Sequence, residues 1–134
     1  MKGLSSTIFL GFFGFGKPKD PSAAEDKPAK PKPRNISAGE AKAIMDKGEP
    51  YKLVDVRSAG EFSGGHIKGA ILIPVDEIAS RAEAKLPDKD AVILVYCASG
   101  ARSSRAAKIL AGLGYTNINN FGGIMSWPYG TVGG

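Results

Sequence analysis

One cysteine and one arginine stand close together in the stretch "VYCASGARSSRAA", which covers residues 95–107. Cys97 is the only cysteine of the 134 residues; it follows an apolar run, and Arg102 begins a helical pattern. A free cysteine commonly packs as a small hydrophobic side chain. The small residues and the arginine that follow Cys97 instead favour a reactive thiol, which acts as a nucleophile in its thiolate form. We therefore predict that Cys97 is the catalytic residue.

The loop after Cys97 is suited to bind an anion. It is filled by small residues: Ala98, Ser99, Gly100 and Ala101. Ligands of open α/β sheets bind beyond the carboxyl ends of the strands, which is where this loop stands. Its backbone N–H groups can converge as an anion-binding nest, and the following helix adds the positive end of its dipole. Together with the charge of Arg102, these features are expected to lower the pKa of the Cys97 thiol.

The length of this loop separates two kinds of cysteine chemistry. Cysteine phosphatases place one residue more between the cysteine and the arginine, which makes room for a phosphate group. The spacing between Cys97 and Arg102 forms a tighter cradle, better matched to a single terminal sulfur atom carried on the cysteine. The spacing therefore favours sulfur transfer over dephosphorylation.

Composition argues against several other classes of function. A single cysteine rules out an intramolecular disulfide and any multi-cysteine metal site. His66 is the only histidine, so few ligands remain for a transition metal. We expect neither a bound metal nor another cofactor.

The net charge of +5 belongs mainly to the N-terminal part of the chain. Residues 17–34 hold six basic and three acidic side chains, a balance of +3, and Lys2 adds one further positive charge. From Asn35 onward, acidic and basic residues nearly cancel. The folded part therefore lacks the basic excess that binds nucleic acid, and no nucleic-acid partner is expected.

The chain divides into three predicted parts. Residues 1–16 hold an apolar run that is too short for a full transmembrane span but has the length of a signal-peptide core. If this run is a signal, the protein is exported, periplasmic or membrane-associated; if it is a plain extension, the protein is cytoplasmic. Residues 17–34, rich in Lys, Pro and Ala, are typical of a solvated linker. A single domain is predicted over residues 35–130.

Strand and helix patterns alternate along the predicted domain. Strands are expected at residues 51–56, in the apolar runs "AILIP" and "AVILVY", and at "NINNF". Helices are expected between them, two of which begin with Ser-x-x-Glu capping boxes at Ser37 and Ser58. This alternation predicts an α/β fold, an open parallel central sheet of about five strands flanked by helices on both faces.

Three segments make the sequence resemble a single-domain rhodanese, a thiosulfate sulfurtransferase. They are "LVDVRSAGEFSGGHIKGAILIP" at residues 53–74, the cysteine segment above, and the closing "FGGIMSW". The resemblance implies that a donor such as thiosulfate gives its outer sulfur to Cys97 as a persulfide, which cyanide or a thiol then removes. Backbone N–H groups of residues 98–102 would hold the persulfide, and Arg102 would attract the anionic donor. The implied partners are small-molecule sulfur donors and acceptors, including a protein thiol.

Further residues of these segments are expected to support the site by holding its structure. Asp55 and Arg57 follow one another closely at a strand end, where an ion pair would fix the loop geometry. His66 is expected to satisfy backbone carbonyl groups, and Ser103 to cap N–H groups at the start of the helix. Glu61 is already explained by its place in the second capping box.

Two other functions would use the same loop. A persulfide sulfur-carrier module would pass its sulfur to one specific protein, and a phosphatase or arsenate reductase would act on an oxyanion. The sequence does not separate the carrier from the enzyme, because both need the same loop. The short spacing between Cys97 and Arg102 disfavours the oxyanion chemistry.

Overall fold

The computed structural model describes residues 32–133, so the predicted segment 1–16 and residues 17–31 of the predicted linker lie outside the described residues. The described chain forms five strands: β1 (Arg34–Asn35), β2 (Lys52–Asp55), β3 (Ile71–Leu72), β4 (Ile93–Cys97) and β5 (Ile118–Gly123). It forms four α-helices: α1 (Ala38–Asp46), α2 (Ala59–Ser63), α3 (Ile78–Lys85) and α4 (Ala101–Gly112). Two short 3-10 helices, Val75–Glu77 and Ile124–Ser126, lead into α3 and follow β5.

The five strands form one sheet in the order β1-β5-β4-β2-β3, and every neighbouring pair is parallel. β4 lies at the centre, and all of its residues are buried. A parallel sheet with both faces covered hides its central strand from water, which explains why β4 is a continuous apolar run. The parallel α/β fold predicted from the sequence is confirmed.

Side chains of β4 alternate between two apolar cores on opposite faces of the sheet. Ile93, Val95 and Cys97 belong to the core that includes residues of α3 and α4. Leu94 and Tyr96 belong to the core that includes residues of α1 and the chain near the C-terminus. The alternation follows from the two-residue period of a strand, and it places Cys97 on the same face as α4.

Both predicted capping boxes are confirmed. The Ser37 hydroxyl oxygen accepts from the Glu40 N–H at 3.0 Å, and the Glu40 carboxylate accepts from the Ser37 N–H at 2.8 Å. Ser58 and Glu61 make the same two bonds at the start of α2, at 3.2 and 3.1 Å. Each box satisfies N–H groups that the first helical turn leaves without an intrahelical partner, which fixes where α1 and α2 begin.

β1 is a strand that the sequence pattern does not predict, because two residues are too few to show a period. It pairs with β5, and its Arg34 guanidinium donates twice to Asn119 Oδ1, at 3.0 and 2.9 Å. β1 thus begins at the last residue of the predicted linker. Within residues 32–133, no helix combines the length and the apolar character that a bilayer crossing requires.

Candidate active site

Cys97 is the last residue of β4, at the point where the chain leaves the centre of the sheet. The short turn between β4 and α4 ends at Gly100, whose φ of 115° lies in the left-handed region that glycine adopts at little steric cost. In this turn the Gly100 N–H donates to the Cys97 sulfur at 3.0 Å. The turn therefore brings a backbone N–H group within hydrogen-bond distance of the sulfur atom.

The thiol of Cys97 is buried, with 1% of the residue exposed. Burial raises the pKa of this thiol, but hydrogen bonds from Ser103 and from backbone N–H groups of the loop lower it more. The net result is a pKa below the ordinary value of 9.0. These hydrogen bonds stabilise the thiolate, which is the nucleophilic form of cysteine.

Ser103 connects the sulfur to strand β5. Its hydroxyl oxygen lies 3.5 Å from the Cys97 sulfur and 2.8 Å from Oδ1 of Asn120. The Gly122 N–H donates to the same Oδ1 at 2.9 Å, which determines the end of the amide that faces the serine. The capping role predicted for Ser103 is not observed: Gly100 is the N-cap of α4, no side chain caps this end, and the Ser103 hydroxyl donates to the Gly100 carbonyl at 3.1 Å and contacts the sulfur. The sequence did not point to Asn120, since nothing in its local pattern marks a long-range contact with the loop.

Gly123 allows the end of β5 to pack directly beneath the cysteine loop. A Cβ atom at this position would overlap the carbonyl group of Ala98 and lie 2.7 Å from Cα of Ser99. The backbone of Gly123 is extended, so the requirement for glycine comes from this close approach and not from φ. One residue pair further on, the Met125 N–H donates to the Ala98 carbonyl at 3.2 Å. The "FGG" segment and Met125 thus contact the backbone of the cysteine loop and hold it in position.

Arg102 does not stand free at the loop. Its Nη1 and Nη2 donate to Oε1 and Oε2 of Glu61 at 2.7 and 2.9 Å, a bidentate ion pair between α4 and α2. Both side chains are partly exposed, at 38% and 37%. The Glu61 carboxylate therefore has two roles, in the capping box of α2 and in the ion pair with Arg102. Only the first is apparent from the sequence.

Asp55 and Arg57 form a buried ion pair at the end of β2. The guanidinium donates to both carboxylate oxygens, to Oδ1 at 3.0 Å and to Oδ2 at 2.7 Å, and the Arg57 backbone N–H donates to Asp55 Oδ1 at 2.9 Å. Arg57 also donates to the carbonyl of Gly65 at 2.7 Å. Through the bond to Gly65, the pair connects the end of β2 to the residues that follow α2. Helix α2 itself carries Glu61. The contacts of Asp55 and Arg57 are those of a residue pair that holds the loops around the site in place.

His66 contacts Phe62 and Val132. Its ring donates from Nδ1 to the carbonyl of Phe62 at 2.9 Å and stacks on the Phe62 ring, with 3.7 Å between the ring centroids. Its backbone pairs with Val132 in an antiparallel bridge. Among the described residues, no hydrogen bond joins His66 to Cys97. The groups that lower the pKa of the thiol are therefore the Ser103 side chain and backbone N–H groups of the loop.

Two clefts of about 260 and 270 Å³ are lined by residues outside the cysteine loop, one by residues such as Arg34 and Val92, the other by residues such as Lys42 and Trp127. Within the described chain, no three His, Cys, Asp or Glu side chains cluster closely enough to hold a metal ion. The site is therefore defined by its thiol and its converging N–H groups.

Fold and site together define a class of protein: a parallel α/β domain with a buried cysteine at the carboxyl end of its central strand and a following loop whose Gly100 N–H donates to the cysteine sulfur. The model of the rhodanese-like domain family matches residues 37–128. This chain belongs to the rhodanese-like domain family.

Two relatives and one solved structure illustrate the similarity. Thiosulfate sulfurtransferase PspE of Escherichia coli is 39% identical over 71 residues, which cover 53% of this chain and 68% of that protein. A sulfurtransferase of Allochromatium vinosum is 40% identical over 80 residues, 59% of this chain and 73% of that protein. The structure of a "rhodanese with anions from E. coli" aligns with a TM-score of 0.60 and 35% identity, over 63% of this chain and 100% of the other. Family and relatives support sulfur transfer as the general chemistry and an enzyme of the rhodanese type.

Proposed function

We propose that this protein is a sulfurtransferase that moves a sulfane sulfur from thiosulfate, or a related donor, to a thiophilic acceptor through a persulfide on Cys97. The observation that carries the proposal is the Cys97 sulfur at the carboxyl end of β4, with the Gly100 N–H donating to it at 3.0 Å. The name of the PspE relative supports thiosulfate as the donor.

In the first half-reaction the Cys97 thiolate attacks the outer sulfur of thiosulfate. A new sulfur–sulfur bond forms to Cys97, and the sulfur–sulfur bond of thiosulfate breaks, with its electron pair leaving on sulfite. The negative charge passes from the cysteine sulfur to the terminal sulfur of the persulfide. Loop N–H groups that already face the thiolate are suited to stabilise that charge, as preorganised donors do in other active sites.

In the second half-reaction an acceptor attacks the terminal sulfur. With cyanide, a carbon–sulfur bond forms, thiocyanate leaves, and the electron pair of the persulfide bond returns to Cys97 as the thiolate. Ser103 and the loop N–H groups then face a thiolate again, so the leaving group of this step is stabilised by the hydrogen bonds that lowered its pKa. No proton transfer is needed in either half-reaction, which agrees with a site that has no histidine bonded to the sulfur.

A second candidate is a sulfur carrier whose acceptor is a thiol of one protein partner. Met125 favours it, because this side chain is 78% exposed while its backbone bonds to the Ala98 carbonyl of the cysteine loop. Methionine side chains are flexible and polarisable, and they are frequent on surfaces that bind protein partners.

Steady-state kinetics with thiosulfate and cyanide test the proposal. We expect thiocyanate formation with ping-pong kinetics for the native protein and none for Cys97→Ser. A second assay with p-nitrophenyl phosphate tests the phosphatase alternative. Phosphate release without thiocyanate formation would contradict the proposed function. Sulfur transfer that is slow to cyanide, measured as thiocyanate, and fast to a protein thiol, measured as a persulfide on that protein, would favour the carrier.

A further inference from the structure

The cation nearest to the proposed donor site is already paired. Arg102 offers five N–H donors, and its bidentate bond with Glu61 uses two of them. The remaining donors can still receive an oxyanion. However, an anion that approaches Arg102 also approaches the Glu61 carboxylate, and the two charges together sum to zero.

Glu61 cannot easily leave this position. Its Oε1 also accepts from the Ser58 N–H at 3.1 Å and from the Ser58 hydroxyl at 2.9 Å. The Arg102 guanidinium and the Ser58 N–H lower the pKa of the carboxyl to about 2. Glu61 therefore keeps its negative charge beside Arg102 at neutral pH, held by three hydrogen-bonded groups.

We propose that Glu61 determines donor specificity: by opposing the charge of Arg102, it disfavours dianionic donors such as thiosulfate relative to donors with one negative charge. The proposal rests on the proposed sulfurtransferase function. Thiosulfonates, which carry their sulfane sulfur with one negative charge and lose a sulfinate, represent the favoured class. A dianion meets twice the repulsion from Glu61 that a monoanion meets, because Coulomb energy is proportional to charge.

The chain offers a matched pair of variants to test this. Glu61→Gln removes the charge but keeps the capping box, because glutamine serves in that motif as well as glutamate does. Glu40→Gln makes the same change in the capping box of α1, where Ser37 is the bonded partner. Both variants alter the net charge equally, so only the position of the charge differs. Glu61→Asp, which keeps the charge on a shorter side chain, is expected to retain the native preference.

The measurement is the second-order rate constant of persulfide formation, with thiosulfate and with methanethiosulfonate. For Glu61→Gln we expect a rise of about three- to tenfold with thiosulfate and about two- to threefold with methanethiosulfonate, both shrinking at high salt. Glu40→Gln is expected to leave the ratio of the two constants unchanged. A purely structural role for Glu61 would instead slow both donors alike.

The outcomes separate the two proposals. If the native protein forms a persulfide and Glu61→Gln has the same donor ratio as Glu40→Gln, the inference about Glu61 is wrong and the proposed function stands. If the native protein forms no persulfide with either donor, the proposed function fails and the inference fails with it.

Discussion

Replacing Ser103 by alanine should raise the pKa of Cys97 and leave its maximal reactivity intact. The hydroxyl of Ser103 lies 3.5 Å from the Cys97 sulfur, and it is the largest contribution among those that lower this pKa. Alanine removes the hydroxyl and changes little else in volume, at a position with no exposed surface. The thiolate then loses the stabilisation of one hydrogen-bond donor, whereas the neutral thiol loses much less stabilisation, so the pKa rises.

The structure sets the size of this effect. A hydrogen bond to a charged group contributes about 1.5–3 kcal/mol. The single proton of the Ser103 hydroxyl has three acceptors closer than the sulfur: Asn120 Oδ1 at 2.8 Å and the carbonyls of Gly100 and Gly122 at 3.1 and 3.2 Å. The lower end of the range, about 1.5 kcal/mol, therefore applies, and it corresponds to a rise of about one pKa unit.

The assay is the rate of alkylation by iodoacetamide as a function of pH. Below the native pKa, Ser103→Ala should react about tenfold more slowly, because about one tenth as much thiolate is present. At high pH both proteins are fully ionised, and the variant should reach a plateau equal to or slightly above the native one, since a more basic thiolate is intrinsically more nucleophilic. Ser104→Ala, a change at the next position of α4, serves as the control.

Two results would refute this reasoning. Identical pH profiles for Ser103→Ala and the native protein would show that the hydroxyl does not stabilise the thiolate. A lower plateau at high pH would show that the substitution acts on access or loop geometry and not on the pKa.

Three further predictions concern residues that hold the structure around Cys97. Gly123→Ala should move the cysteine loop and slow Cys97 alkylation at least about tenfold, whereas Gly112→Ala, where nothing lies within 4 Å, should not. Asp55→Asn should lower the free energy of unfolding in urea by about 3 kcal/mol, because it leaves the buried Arg57 guanidinium without its counter-charge; a loss under about 1 kcal/mol would contradict this. The pKa of Glu61 is lowered from 4.5 to about 2 on folding, so its charge stabilises the fold above pH 4.5, and that contribution is lost as the pH falls towards 2. The Tm difference between native protein and Glu61→Gln should therefore shrink over this range, and a constant difference would count against it.

Local signals in the sequence predict the frame of this fold well. Capping boxes at Ser37 and Ser58 need only residues three positions apart, and the structure confirms both. The apolar run that becomes β4 is long enough to mark a central parallel strand, so the position of Cys97 at its end follows from local pattern alone. These features are predictable because the interactions that decide them lie within one element.

The contacts that tune the site are long-range, and the sequence does not show them. Ser103 bonds to Asn120, seventeen positions away, and Arg102 bonds to Glu61, forty-one positions away. Each residue already has a local explanation, as a helix-start serine, a strand amide, a loop cation or a capping glutamate. The local pattern predicts Arg102 as a cation that attracts an anion, and it does not show that Glu61 lies opposite it in the folded protein.

The most direct test of the central claim is the intact mass of the protein after incubation with thiosulfate. The native protein should gain the mass of one sulfur atom, lose it again on addition of cyanide, and Cys97→Ala should gain nothing. An unchanged mass in the native protein, with its thiol shown to be free and the donor in excess, would contradict the claim that Cys97 carries sulfur from thiosulfate.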